Sequence, residues 1–82
     1  MNVHELGVLC QAVRTVSAMA QKHHIAAVKH MTLDVGMESG YVPVFFEKLF
    51  PVAIEQFDNM KNAQLIIKTV PGRGLQIRDF GY

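Results

Sequence analysis

Cysteine occurs once in the 82-residue chain, at Cys10. One thiol excludes an intramolecular disulfide, a CxxC motif and a cysteine-based zinc or iron–sulfur site within one chain, so zinc is not expected. A small domain held by its core alone is typical of the cytosol, and a cytoplasmic location is expected. Charge of one sign is also scarce: eight Lys and Arg stand against seven Asp and Glu, for a net charge of +1. The basic residues Arg14, Lys22, Lys29, Lys48, Lys61, Lys68, Arg73 and Arg78 are scattered, with no two adjacent. Such a surface offers no field to gather nucleic acid or an anionic membrane, and neither is expected as a partner. No stretch approaches the ~20 apolar residues of a membrane helix. The N-terminal run lacks a basic leader and is interrupted by Gln11 and Arg14, which excludes a signal peptide. GxSxG, HExxH and a Gly-rich phosphate loop are all missing, so an enzyme is not expected.

What the chain does have is apolar material: half its residues are hydrophobic and 18% are charged, which argues for a folded domain. Its length predicts one domain, residues 1–82, with a modest core that buries roughly 60–65% of the surface of the unfolded chain. Leu6, Leu9, Val13, Val16 and Ala20 recur at steps of three and four and predict a helix over 4–22, with Asn2 as a candidate N-cap. Alternation of Met31, Leu33 and Val35 with His30, Thr32 and Asp34 predicts a strand over 27–35 that stops at Gly36. Pro43 suits the first position of a second helix carrying Phe45, Phe46, Leu49, Val52, Ala53, Ile54 and Phe57. Pro51 inside it predicts a kink, or two short helices meeting near Phe50. Residues 64–70 and 75–80 read as two further strands. Their four-residue connection, Pro71, Gly72, Arg73 and Gly74, predicts a tight hairpin. Strand, helix and strand before it fit a parallel crossover.

The resulting fold class is α+β, in the order α-β-α-β-β, with two helices on one face of a small three-stranded sheet. The other face is expected to carry His30, Thr32 and Asp34, joined by Ile66, Val70, Phe80 and Tyr82. An open face and two free edges predict a homo-oligomer, a dimer at least, formed by that face or by exchange of the last strand around the 71–74 turn.

The groups able to bind metal or move a proton are the histidines. His23 and His24 read as a solvated helix end, and His30 as a surface residue on the polar face of its strand. His4, followed by Glu5, lies near the amino terminus. A histidine there can bind Ni²⁺ or Cu²⁺ in a square plane with deprotonated backbone amides. The plainer reading of Glu5 is a carboxylate complementing the helix dipole.

His4-Glu5-Leu6 at the head of an amphipathic helix resembles the His-Glu-Leu start of the HypA/HybF nickel metallochaperones. Thr32-Leu33-Asp34-Val35-Gly36 followed by Ser39-Gly40-Tyr41-Val42-Pro43 is similar to that family's strand–Gly–loop–Val-Pro signature. Ile66-Ile67-Lys68-Thr69-Val70-Pro71-Gly72 and Gly74-Leu75-Gln76-Ile77-Arg78-Asp79 resemble the strands that flank its zinc ribbon. The resemblance implies nickel handling in hydrogenase or urease maturation, partners among the maturation proteins, and His4 and Glu5 as nickel-site residues. It also marks departures. The CxxC-bearing ribbon is missing between the last two strands. Asn2 and Val3 stand between Met1 and His4, where the family's histidine directly follows the initiator. Bulky Asn2 disfavours removal of Met1, and a site would form from the His4 imidazole and nearby amides. The loop acid, Glu38, falls one place later than in the family. The rival reading is an interaction or regulatory module that keeps the fold and does not bind metal.

Overall fold

A computed structural model gives the fold and describes residues 3–82. The candidate N-cap Asn2 and Met1, whose retention is expected, lie outside the described residues. Helix α1 spans Val3–Lys22. Leu9, Val13, Val16 and Ala20 are fully buried along one stripe, as their spacing requires. The helix closes on His24, which takes a positive φ of 59°. The His24 N–H donates to the Gln21 carbonyl and the Ile25 N–H to the Ala20 carbonyl, which satisfies carbonyls that the helix end would otherwise leave open. Among the described residues, no helix is long and apolar enough to cross a membrane.

Strand β1 spans His30–Gly36, three residues later at its start than the alternation suggested. Residues 25–29 are held otherwise: the Val28 N–H donates to the Asn59 carbonyl. The Asn59 side chain in turn exchanges hydrogen bonds with Ser17 on α1, at 2.7 and 3.0 Å. Helix α2 spans Pro43–Ala53. Pro51 falls in its last turn, so the helix is one element and stops three residues after Phe50 rather than breaking there. The expected continuation to Phe57 is replaced by turns and a 3₁₀ helix at Asp58–Met60. Phe46, Leu49, Phe50 and Ala53 face the core from α2.

Strands β2, Gln64–Val70, and β3, Leu75–Gly81, complete the sheet. Their order is β2-β1-β3, with β1 parallel to β2 and antiparallel to β3. The crossover from β1 through α2 to β2 is therefore as expected, and the β2–β3 hairpin is not formed. The four-residue link does not fold back; it steps across the end of β1. Two strand spacings are ~9.6 Å, and a link of this length reaches farther than that, so its length is compatible with either path. Gly36 makes the crossing possible. A Cβ there would sit 2.4 Å from the Gly72 carbonyl oxygen and 2.8 Å from that of Gly74. With hydrogen in its place, the Gly36 N–H donates to Gly74 O at 2.8 Å, Met37 N–H to Val70 O at 2.7 Å and Glu38 N–H to Gly72 O at 2.8 Å.

The β1–β3 ladder carries a second correction. Its register shifts between Thr32 and Leu33: Leu33 faces Ile77, Thr32 faces Asp79, and Arg78 is the extra residue. Strict alternation after Leu75 and Ile77 would send Phe80 to the open face. The bulge reverses the parity, so Phe80 pairs with Met31 and packs against the core beneath the helices. The open face is consequently less apolar than expected. It carries Ile66, Lys68, Gln76, an ion pair and a histidine–carboxylate contact. The Arg78 Nε–H donates to Asp34 Oδ1 at 2.7 Å, and this hydrogen bond, aided by the opposite charges, holds the guanidinium above its ordinary range. His30 Nε2 lies 3.6 Å from Asp79 Oδ1. Thr32, expected to meet water, is only 4% exposed.

Candidate metal site at the start of the first helix

His4 and Glu5 occupy the first turn of α1, where N–H groups have no intrahelical acceptor. Consecutive helical residues point ~100° apart, and these two part company accordingly: His4 is exposed and Glu5 is wholly buried. Glu5 lies four residues before Leu9 and so continues the apolar stripe of α1 into its first turn. Its Oε2 accepts the Val42 N–H at 3.0 Å. Its Oε1 is buried and has no hydrogen-bond partner among the described residues. A carboxylate in that setting is costly unless the helix N-terminus and its donors offset the lost hydration.

Val42 belongs to the loop that joins β1 to α2, and the loop is built to hold it. Met37 is tied to Val70 at the end of β2 and Glu38 to Gly72 of the 71–74 crossover by the hydrogen bonds given above. Ser39 Oγ accepts the Tyr41 N–H at 3.2 Å, and Gly40 turns the chain with a φ of 84°. The Tyr41 ring meets Phe46 of α2 at 5.7 Å. A continuous set of bonds thus runs from the crossover through the loop to Glu5, one residue from His4. Sequence reading took Glu5 as a dipole partner or a ligand and missed that it anchors this loop. The helical spacing from Leu9 was the available signal for its burial. No signal pointed to Val42, whose contribution is a backbone N–H.

The remaining histidines are elsewhere. His23 and His24 lie at the other end of α1, ~28 Å from His4 along the axis at 1.5 Å per residue. There they line a shallow cavity with Met19, Phe80 and Tyr82. His30 is on the sheet. Glu38 is exposed in the loop. Among the described residues, no three His, Cys, Asp or Glu side chains gather at metal-binding spacing. A cation at exposed His4 would therefore draw its other ligands from backbone nitrogen rather than from the buried Glu5 or a cage of side chains. Amide nitrogens bind such a cation only after losing their protons.

Comparison with known proteins gives a consistent result. The family described as hydrogenase/urease nickel incorporation, metallochaperone, hypA matches residues 3–75. The hydrogenase maturation factor HypA of Methanosarcina barkeri is 32% identical over 69 residues, which are 84% of this chain and 51% of that protein. Its counterpart from Methanosarcina mazei is 33% identical over 69 residues, 84% of this chain and 50% of that protein. The chain thus spans about half the length of the curated relatives it matches. The solution structure of the Ni metallochaperone HypA from Helicobacter pylori superposes with a TM-score of 0.84 at 13% identity, covering 94% of this chain and 95% of that one. At that identity the likeness is one of fold.

Proposed function

The chain belongs to the HypA family of hydrogenase/urease nickel incorporation, and from that membership we propose that it handles nickel for the maturation of a hydrogenase or urease. It acts in the cytoplasm as a homo-oligomer with partners among the maturation proteins, as a carrier of an ion rather than a catalyst, and without resident zinc. The observation that carries the reading is the family match beginning at Val3, next to an exposed His4 on the first helical turn. Nickel is the cargo. The His4 imidazole supplies one ligand and deprotonated amides beside it supply others. Glu5, wholly buried, holds the Val42 loop against that turn. Because Asn2 and Val3 separate His4 from Met1, more amides must deprotonate than in a histidine that follows the initiator directly. Affinity should accordingly rise with pH, with proton release on binding.

The test is a nickel titration of the tag-free chain with its native amino terminus, at several pH values. Binding that strengthens with pH and is lost in His4→Ala supports the proposal. Binding unchanged in His4→Ala but abolished by His23→Ala and His24→Ala would refute it, and no binding at any pH would favour the metal-free interaction module.

A further inference from the structure

The two edges of the sheet are guarded differently. Edge strand β3 carries a bulge at Arg78 and exposes Arg78 and Asp79, the devices by which proteins keep an edge from pairing. Edge strand β2, Gln-Leu-Ile-Ile-Lys-Thr-Val, is regular, has no proline and carries one charge. In a strand, the N–H and C=O of one residue point to the same side, and the side alternates. The Gln64 N–H donates to Lys29 O, and Val70 O accepts the Met37 N–H. Gln64, Ile66, Lys68 and Val70 therefore address β1, and Leu65, Ile67 and Thr69 present their backbone groups outward.

We propose that this edge takes a second copy of the chain, β2 against β2, antiparallel about a two-fold axis at Ile67. Its chemistry is self-complementary in that register. Ile67 faces its own copy, and Leu65 faces Thr69 of the other chain twice. All three outward residues then fall in hydrogen-bonded pairs, each exchanging two N–H···O bonds. On the helix side, half-buried Leu65 and Ile67 at the margin of the core continue into Thr69 and Ile67 of the second copy. On the open side Ile66, 39% exposed, meets Lys68, whose methylene stem covers it. The two lysines never face each other. The alternative mode, stacking of open faces, is disfavoured because that face carries charged and polar groups, among them the Arg78–Asp34 ion pair already closed within one chain and the His30–Asp79 contact. The inference goes beyond nickel handling and needs no metal.

The test is sedimentation of the tag-free chain in excess chelator, from about 5 to about 500 μM, a span suited to an interface this small. The wild type should move from 9.2 kDa to twice that mass. Thr69→Pro removes an outward N–H and no internal bond, and should be monomeric throughout while keeping the wild-type circular dichroism. Ile66→Lys places two lysine pairs across the junction and should weaken the dimer roughly tenfold. Ile66→Glu places two Glu–Lys pairs there and should leave it as tight or tighter. A wild-type mass of 9.2 kDa at every concentration, or a dimer indifferent to Thr69→Pro, overturns the proposal. Equal weakening by Ile66→Lys and Ile66→Glu overturns the register and points to the open face instead. If Thr69→Pro fails to fold, the Ile66 pair decides alone.

Discussion

Replacing Gly36 by alanine tests whether the crossing of the 71–74 link over β1 is what holds the top of the molecule together. The added Cβ would meet Gly72 O at 2.4 Å, Gly74 O at 2.8 Å and Gly72 C at 2.9 Å. All three are backbone atoms, so no side chain can swing away. The link must lift, and it carries the acceptors for Gly36 and Glu38 and adjoins Val70, the acceptor for Met37. At about 0.5–1.5 kcal/mol net for each hydrogen bond, loss or stretching of the three costs about 2–4 kcal/mol. A chain of this length has only about 4–12 kcal/mol to lose. Urea denaturation is the assay. With a slope near 1 kcal/mol per M, the midpoint should fall by about 2 M or more. Gly7→Ala is the matched control, since nothing lies within 4 Å of its added Cβ. Alanine in that exposed helical position should instead raise stability by about 0.8 kcal/mol. A Gly36→Ala midpoint within about 0.5 M of wild type would mean that the link moves at no cost, and the account of the crossing would fail.

Glu5→Ala should unfasten the loop: the Val42 N–H loses its acceptor, stability falls by about 1–2 kcal/mol, and exchange of the Val42 amide quickens roughly tenfold, the equivalent of about 1.4 kcal/mol. Glu5→Gln, which keeps an oxygen acceptor, should recover most of that protection; if the two variants exchange alike, the carboxylate is not the anchor. Phe80→Lys should destabilise the fold by about 2 kcal/mol, because the half-buried ring faces the core. Tyr82→Lys, at a residue 74% exposed, should stay within about 0.5 kcal/mol of wild type in the same denaturation experiment, and a reversed order would place Phe80 on the open face after all.

Periodicity made α1 legible because its buried stripe repeats at steps of three and four. It made β1 legible because Met31, Leu33 and Val35 alternate. Pro43 marked the start of α2 by its own backbone chemistry. The placement of His4 and Glu5 on one helical turn followed from adjacency, and their likeness to a nickel site followed from the His-Glu-Leu run. These are local properties: a residue's neighbours along the chain are enough to determine them. The sheet order was different. A four-residue link serves a hairpin or a crossing, and the choice fell to packing, with Gly36 allowing one backbone to pass against another. The face of Phe80 was decided by the bulge at Arg78, which arises only when β3 is set in register against β1. Glu5 became a buried anchor because the Val42 N–H, 37 residues away in the chain, is brought to it by the loop. Alternation and helical spacing carry no term for a partner that distant, so only the tertiary structure could supply these three features.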